Sequence, residues 1–549
     1  SSFLDLRDGL AHSPPPEGGG EQVCRVLSDA LDQALARLAD RPTDVALVAV
    51  GGYGRRELAP FSDVDLMLLG SPSPAAVQAV LYPLWDAKLR VGHSVRTVRE
   101  AVAAARERAD TLCSLLTART VAGPPEPLEE LERSLRGLLR RERARLDNVL
   151  AADELERRAS QPYHLQEVDV KTGRGGLRCF HALDWERRRA ELLGEPFQPP
   201  DREEQEAREV LRAVRNALHA VTGRATEVYA EELRPRVAAW LGPDPQEVGR
   251  RLFRAVRVGD RLAGHRVESV GDPLAAAGRR VVAVLRSRWG QEPARADGDS
   301  SALAVARRAL QRPGGRLTVA EAGLLAEAPV PSWTEADREA LIRLTAAGSD
   351  GWAVLESLRA AGWLARAFPE WERAVGEPQV APFHAHPVDV HLWRTAQEVV
   401  AVAGPDGDEP WCREVADDLG ALDEVLLAAL FHDIGKGLPG DHSEVGAEVT
   451  RGAAARMGFG PATVDTLERA VRHHLLLPRV AARRDLDDPA VIGEVAHLVS
   501  DLHTLRVLFL LTIADGRATG PTGWDAWKAS LVRALFARTA EELGRRTGS

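Results

Sequence analysis

The sequence predicts an α+β protein that is mostly α, with a small mixed α/β domain near the amino terminus, a helical middle domain and an all-α carboxy-terminal domain. Three observations carry that expectation. Short β-prone runs occur early in the chain, at residues 45–50, 61–69 and 90–97. Leu128, Leu131, Leu135, Leu138, Leu139, Leu146 and Leu150 then recur at helical spacing in an Arg/Glu-rich background. The 549 residues, 44% hydrophobic and 28% charged, are ample for several packed cores.

Residues 1–40 read as a mobile segment followed by a helix. Pro14-Pro15-Pro16 and Gly18-Gly19-Gly20 cannot bury a core, whereas 21–38 is amphipathic. Residues 41–125 form the expected α/β domain: Val45 to Val50 is a buried strand stopped by Gly51-Gly52, and a second strand follows over 61–69. Side chains alternate along a strand, so Asp63 and Asp65 point one way with Val64 opposite. A helix over 81–88 and a third strand over 90–97 complete the domain. Residues 126–300 read as helical except around 169–176, and 301–334 as a linker and helical connection. The best linker composition is 290–301, and Ser332, after Pro329-Val330-Pro331, is placed to cap a helix starting near Thr334. The last domain is 335–549, and its loop 404–410 has no assigned role.

Composition excludes several classes. A formal charge of −10 argues against a general nucleic-acid binder, which needs a concentrated basic surface. Four scattered cysteines (Cys24, Cys113, Cys179, Cys412), with no CxxC pair, fit a reducing compartment and exclude a cysteine-built zinc site. No stretch approaches the roughly 20 apolar residues that span a bilayer, and no basic segment precedes an apolar one at the start. The expectation is a cytoplasmic protein with no membrane partner.

Two constellations carry chemistry. The first is Gly51-Gly52-Tyr53-Gly54-Arg55-Arg56-Glu57 leading into Ser62-Asp63-Val64-Asp65-Leu66. Paired carboxylates at a strand end suit Mg²⁺ (or Mn²⁺), which also takes oxygens from a nucleoside triphosphate and aligns in-line attack on phosphorus. The glycine turn admits backbone N–H groups to a phosphate, Arg55 or Arg56 grips the triphosphate, and Ser62 supports an aspartate. A bare Asp-x-Asp is weak evidence, but this longer run between two apolar segments is specific. A third carboxylate often completes such a site; the run His93 to Thr97 supplies none, which leaves Asp169 or Glu167 as candidates.

The second constellation is a histidine cluster, since nine of the fifteen histidines lie between His384 and His503. His391, the dipeptide His432-Asp433 and Asp515 are the expected ligands of one divalent ion, Mn²⁺ or another, which lowers the pKa of bound water. His442 and His474 are candidates for a second ion, and Lys436 for contact with a phosphate or tuning of the water. His384, His386 and His473 stay open between ligand and structural roles. His497 and His503 read as surface or core histidines.

These residues resemble the bacterial PII uridylyltransferase/uridylyl-removing (GlnD) family. The likeness extends to Leu84-Trp85-Asp86, Gly92-His93-Ser94-Val95-Arg96-Thr97, Asp169-Val170-Lys171, Gly175-Gly176-Leu177-Arg178, Leu218-His219, Gly223-Arg224, Val388-Asp389, Asp441-His442-Ser443 and Trp527-Lys528, from about residue 20 to 545. It implies a DNA polymerase β-like nucleotidyltransferase domain, a helical PII-uridylyltransferase-associated domain and an HD phosphohydrolase domain. It also implies transfer of UMP from UTP to a tyrosine of the signalling protein PII, and hydrolytic removal at the HD site. Asp63 and Asp65 match the transferase ligands; His391, His432, Asp433 and Asp515 match the hydrolase ligands, with Lys436 and His442 alongside.

Three departures stand out. Cys179 occupies the place of an Asp after Gly-Gly-Leu-Arg, and His386 replaces a Tyr ahead of the first ligand histidine. The family pattern continues into two glutamine-sensing ACT modules and this sequence stops where they would begin, so the expected domain set is without them. Gly54-Arg55-Arg56-Glu57-Leu58 leans toward a PII adenylyltransferase/deadenylylase using ATP, and the base stays open. A CCA-adding tRNA nucleotidyltransferase shares the two-domain pattern, but the acidic charge and the 169–178 segment count against it. A catalytically silent PII-binding regulator fits the missing third acid and Cys179, but intact ligands at both sites count against that.

Overall fold

The computed structural model describes residues 3–12, 19–38, 45–242, 244–270, 302–312, 315, 317, 319–380, 384–520 and 524–547. The expected linker at 290–301 and the Pro14 to Gly18 run lie outside these residues. The fold is α+β and mostly helical, in two units: Ser1–Pro162 with Glu167–Asp272, and Tyr163–Gln166 with Pro273–Ser549.

The first unit is built on a four-stranded mixed sheet. Its strands are β1 (Ala46–Ala49), β2 (Val64–Leu69), β3 (Val91–Arg96) and β4 (Arg119–Ala122), in the order β3-β2-β1-β4. β1 runs antiparallel to β2 and β4, with Ala49 opposite Leu66, and β2 runs parallel to β3, with Asp65 opposite Gly92. Both faces of the β1–β2 pair are covered. Leu47, Ala49, Val64, Leu66 and Leu68 enter one core, and Ala46, Val48, Met67 and Leu69 enter the other. That explains why these strands read as continuous apolar runs rather than as alternation.

Sequence and structure differ at several boundaries. The second strand starts at Val64, not residue 61, because Ser62 N–H and its hydroxyl both turn back to the Ala59 carbonyl. The long leucine-rich helix divides at Glu142 into Glu126–Arg141 and Arg143–Ser160, with the Glu142 carboxylate bound by Arg106 and Arg145. Around 169–176 the chain forms β5 (Val168–Asp169), paired with β6 (Val228–Tyr229). It then makes a tight loop in which Gly175 has φ +76°, and a Cβ there would lie 1.8 Å from the Val256 carbonyl oxygen.

A buried ionic network stiffens this unit. On the helix Arg202–Thr222, Arg208, Arg212, Arg215 and His219 fall on one stripe, which faces inward. Arg212 meets Glu57 at 2.5 Å, Arg55 meets it at 2.8 Å, and His181 meets it at 2.8 Å. Arg215 grips Glu227 through two bonds of 2.8 and 2.9 Å. Burial would raise the Glu57 carboxyl, but His181, Arg55 and Arg212 outweigh it and hold it well below the usual range. Burial would likewise raise Glu227, and His219 with Arg215 reverse that. For His181, burial and the neighbouring Arg55 push the imidazole down to about 4. Breaking a buried pair on one side costs roughly 3–5 kcal/mol, since the other charge stays buried.

The second unit is helical. Its central helix, Asp423–Phe431, is buried at every position from Val425 to Phe431, so neighbours must enclose it on all sides. Val388–Ala403 and Leu502–Thr519 share its apolar core. The helix expected near Thr334 is Glu335–Ala346, capped by Thr334 rather than Ser332, in a capping box with Asp337. No single helix among the described residues is long and apolar enough to cross a membrane.

Two outcomes follow from the first unit's packing. Gly175→Ala must place a methyl group on the Val256 carbonyl in a left-handed conformation, and should lower unfolding stability by about 2–5 kcal/mol in a denaturant titration. His181 takes up a proton more readily when unfolded, so its contribution is complete above about pH 6.5 and is lost as pH falls through about 4. Glu57 and Glu227 add a loss below about pH 4.5. The His181→Gln variant should therefore show a shallower decline in urea midpoint between pH 6.5 and 5 than the parent. The difference is at most about 1.4 kcal/mol per pH unit, and identical slopes would refute the assignment.

Candidate active sites

The first site lies where β1 ends and β2 begins. Gly51–Gly54 forms one helical turn directly after β1, and Gly51 has φ +59°. A Cβ on Gly51 would sit 2.8 Å from Asp65 Oδ2, and one on Gly92 would sit 2.6 Å from Asp65 Oδ1. Asp65 thus occupies a slot that exists only because both flanking residues lack side chains. Asp63 stands just ahead of β2, exposed, with Arg90 at 3.0 Å. Arg90 also donates to the Phe61 carbonyl at 2.9 Å. Burial and then the neighbouring Asp63 raise the Asp65 carboxyl, while Lys171 and Arg55 oppose the rise. Two carboxylates that resist sharing their charge are suited to a hard divalent cation.

The other residues expected here have varied placements. Arg55 is mostly buried and committed to Glu57 and His181. Arg56 faces solvent and pairs with Asp29. The Ser62 hydroxyl donates to Ala59 O at 3.0 Å, not to an aspartate. Gly52 borders open space, with only the Arg55 guanidinium 4.0 Å from where a Cβ would be. Asp169 Oδ1 accepts the Lys171 and Thr172 N–H groups at 2.9 and 2.8 Å, and Glu167 accepts Glu231 N–H at 3.2 Å. Both candidate third acids are therefore bound to nearby backbone. Cys179 is buried beside Glu154; burial, and then the Glu154 carboxylate, push its thiol up to about 12.

The second site gathers side chains from five helix ends or turns. His391 lies in the first turn of Val388–Ala403, His432 and Asp433 follow Asp423–Phe431, His442 opens His442–Arg456, His474 follows Pro461–Arg472, and Asp515 comes from Leu502–Thr519. His391 Nε2 is 3.0 Å from Asp515 Oδ1, 3.3 Å from His432 Nε2 and 3.7 Å from Asp433 Oδ2. On the other oxygen, Asp433 Oδ1 faces His442 at 3.7 Å and His474 at 3.6 Å. Two groups of donors, His391–His432–Asp433 and Asp433–His442–His474, therefore share one carboxylate. His432 Nδ1 lies 3.0 Å from Ala429 O and His474 Nδ1 2.7 Å from Val471 O. Those contacts turn each Nε2 toward the cluster, the orientation that metal-ligating histidines use.

Charge supports the same reading of the donors. Burial alone would keep His432 neutral, but Asp433 and Asp515 push it up to about 10, while desolvation pushes His474 down to about 4. Against the effect of burial, Lys436 and His432 hold Asp433 well below the carboxylate range. The carboxylates of the cluster thus stabilise positive charge, and imidazole with carboxylate is a donor set for a divalent metal. Lys436 sits 2.5 Å from Asp433 Oδ2 and donates to Gln379 Oε1 at 2.8 Å. Gln379 carried no signal in the sequence, because a lone glutamine outside any motif is not distinguishable from a surface residue. His384 stacks edge-on against His391 with ring centres 4.9 Å apart, His386 Nδ1 meets His164 O at 2.8 Å, and His503 pairs with Glu424 at the surface.

Comparison with known families matches two segments, one that follows the Asp63–Asp65 site in sequence and one that contains most of the second site. Residues 143–263 match the family described as GlnD PII-uridylyltransferase, and residues 411–515 match the HD domain, which takes in His432, Asp433, His442, His474 and Asp515 but not His391. A protein of Streptomyces coelicolor named bifunctional uridylyltransferase/uridylyl-removing enzyme is 36% identical over 98% of this chain and 66% of its own length. Proteins of the same name from Gluconobacter oxydans (31%) and Mycobacterium tuberculosis H37Rv (34%) match over 95% and 90% of this chain, and 62% and 63% of their own. The chain thus spans a little under two thirds of these relatives. With both family segments present in this order and likeness along nearly its whole length, the chain belongs to the family of bifunctional uridylyltransferase/uridylyl-removing enzymes.

Proposed function

We propose that this protein transfers UMP from UTP to a tyrosine of the signalling protein PII at the Asp63–Asp65 site, and removes it by hydrolysis at the site centred on Asp433. One observation carries the reading: a chain of this family holds two separate acidic centres, one a carboxylate pair framed by Gly51 and Gly92, the other a histidine–aspartate cluster sharing Asp433. In the domain assignment we favour, residues 41–125 are the nucleotidyltransferase domain and 335–549 the HD domain. Four buried thiols without a disulfide support a cytoplasmic setting.

In transfer, the tyrosine oxygen attacks the α-phosphorus and pyrophosphate leaves in line. Asp63 and Asp65 would hold Mg²⁺ or Mn²⁺, which when bound neutralises charge on the phosphate oxygens. Gly51 and Gly92 keep Asp65 at a fixed depth, and Arg90 keeps Asp63 beside it. In removal, water attacks the same phosphorus and the tyrosine leaves with a proton. His391, His432, Asp433, Asp515, His442 and His474 would hold Mn²⁺ or another divalent ion, which acidifies water. Lys436, fixed between Asp433 and Gln379, offers its remaining N–H to a phosphate oxygen.

Intact mass of PII after incubation with the protein, a divalent ion and each of UTP, ATP, GTP and CTP names the nucleotide; a UMP increment is expected, and no increment with any of them refutes the reading. Asp63→Ala with Asp65→Ala should lower labelling by a factor on the order of 10³ while removal persists. Conversely, His432→Ala with Asp433→Ala should leave labelling intact and abolish release of UMP from modified PII. Surviving release would place hydrolysis elsewhere.

A further inference from the structure

The second unit includes four residues that lie far from the rest of it in sequence, Tyr163–Gln166. They form a strap tied by its ends. Gln166 N–H donates to Ala385 O at 2.8 Å, and His386 Nδ1 meets His164 O at 2.8 Å. The Gln166 side chain then imitates a strand partner: its Oε1 accepts Gln379 N–H at 2.7 Å, and its Nε2 donates to Gln379 O at 3.1 Å. Both glutamines are 2% exposed. Two buried amides paired in this way fix the backbone of Gln379, and that backbone aims its side chain at Lys436.

Lys436 is where this arrangement meets the chemistry. Its ammonium has three donors, of which one goes to Asp433 Oδ2 and one to Gln379 Oε1. Without a fixed second acceptor, a flexible four-carbon stem would leave the ammonium free to swing around Asp433. Tyr163 holds the strap in place, with its ring edge-on to Trp352 and His386 and under the Arg394 guanidinium.

We propose that Gln166 is a positioning residue of the hydrolytic centre: acting through Gln379, it holds Lys436 at a set position beside Asp433. The inference rests on the hydrolase reading above and deepens it, because the centre then depends on a strap from the amino-terminal half of the sequence. Outer contacts of this kind typically carry a ten- to hundredfold effect on activity.

The test uses the full chain, uridylylated PII and Mn²⁺, with transfer assayed in parallel. Gln166→Ala should lower kcat for UMP release about tenfold with KM within about twofold, and leave the transfer rate at the parental value. Release at the parental kcat overturns the inference. Should Gln166→Ala lose both activities through misfolding, Gln379→Met and Gln379→Glu decide. A fall in kcat for Met that Glu restores supports the positioning role, because Glu returns the acceptor for Lys436; equal rates in the two variants overturn it. A parent that releases no UMP refutes the hydrolase reading itself, an outcome distinct from an active parent matched by Gln166→Ala.

Discussion

Buried carboxylates need compensation, and the sharpest case in this protein is Asp433. It is almost fully enclosed, yet its two oxygens face four imidazoles and one ammonium. Desolvation of a carboxylate is affordable only with such company. The helices of the second unit are arranged accordingly. An apolar helix, Asp423–Phe431, delivers His432 and Asp433 to the middle of the domain, and the surrounding helix ends converge on that point. His432 and His474 are each turned by a bond on the far side of the ring, to Ala429 O and Val471 O, so their orientation follows from backbone geometry.

The first unit solves a similar problem by different means. Asp65 is only partly buried, and its position is set by vacancies at Gly51 and Gly92 rather than by partners. Burial first and the neighbouring Asp63 second make Asp65 less willing to ionise, against the pull of Lys171 and Arg55. The nearest arginines make their direct ion pairs with other carboxylates. Arg55 helps bury Glu57, and Arg90 anchors Asp63 to the turn before β2.

A basic helical stripe connects site and scaffold. Arg208, Arg212, Arg215 and His219 would read as a solvated face in isolation, but the structure turns them inward onto Glu204, Asp184, Glu57 and Glu227. His219 Nδ1 accepts the Phe61 N–H at 3.2 Å, two residues before Asp63. Ionic packing and the approach to the catalytic carboxylates are therefore parts of one network.

Sequence alone determined the fold class, the strands at β1, β2 and β3, and the two ligand constellations, because periodicity and close residue spacing are local properties that need no tertiary information. Asp63–Asp65 and His432–Asp433 were legible for that reason, and so was the histidine concentration around them. The tertiary structure decided which charges face inward. It paired Arg55 with Glu57 and His181, turned the Ser62 hydroxyl to Ala59 O, engaged Asp169 and Glu167 with nearby backbone, and brought Gln166 to Gln379 across more than two hundred residues. Hydrogen bonds between residues so distant in the chain follow from how helices pack, and a glutamine has no pattern of its own to announce them.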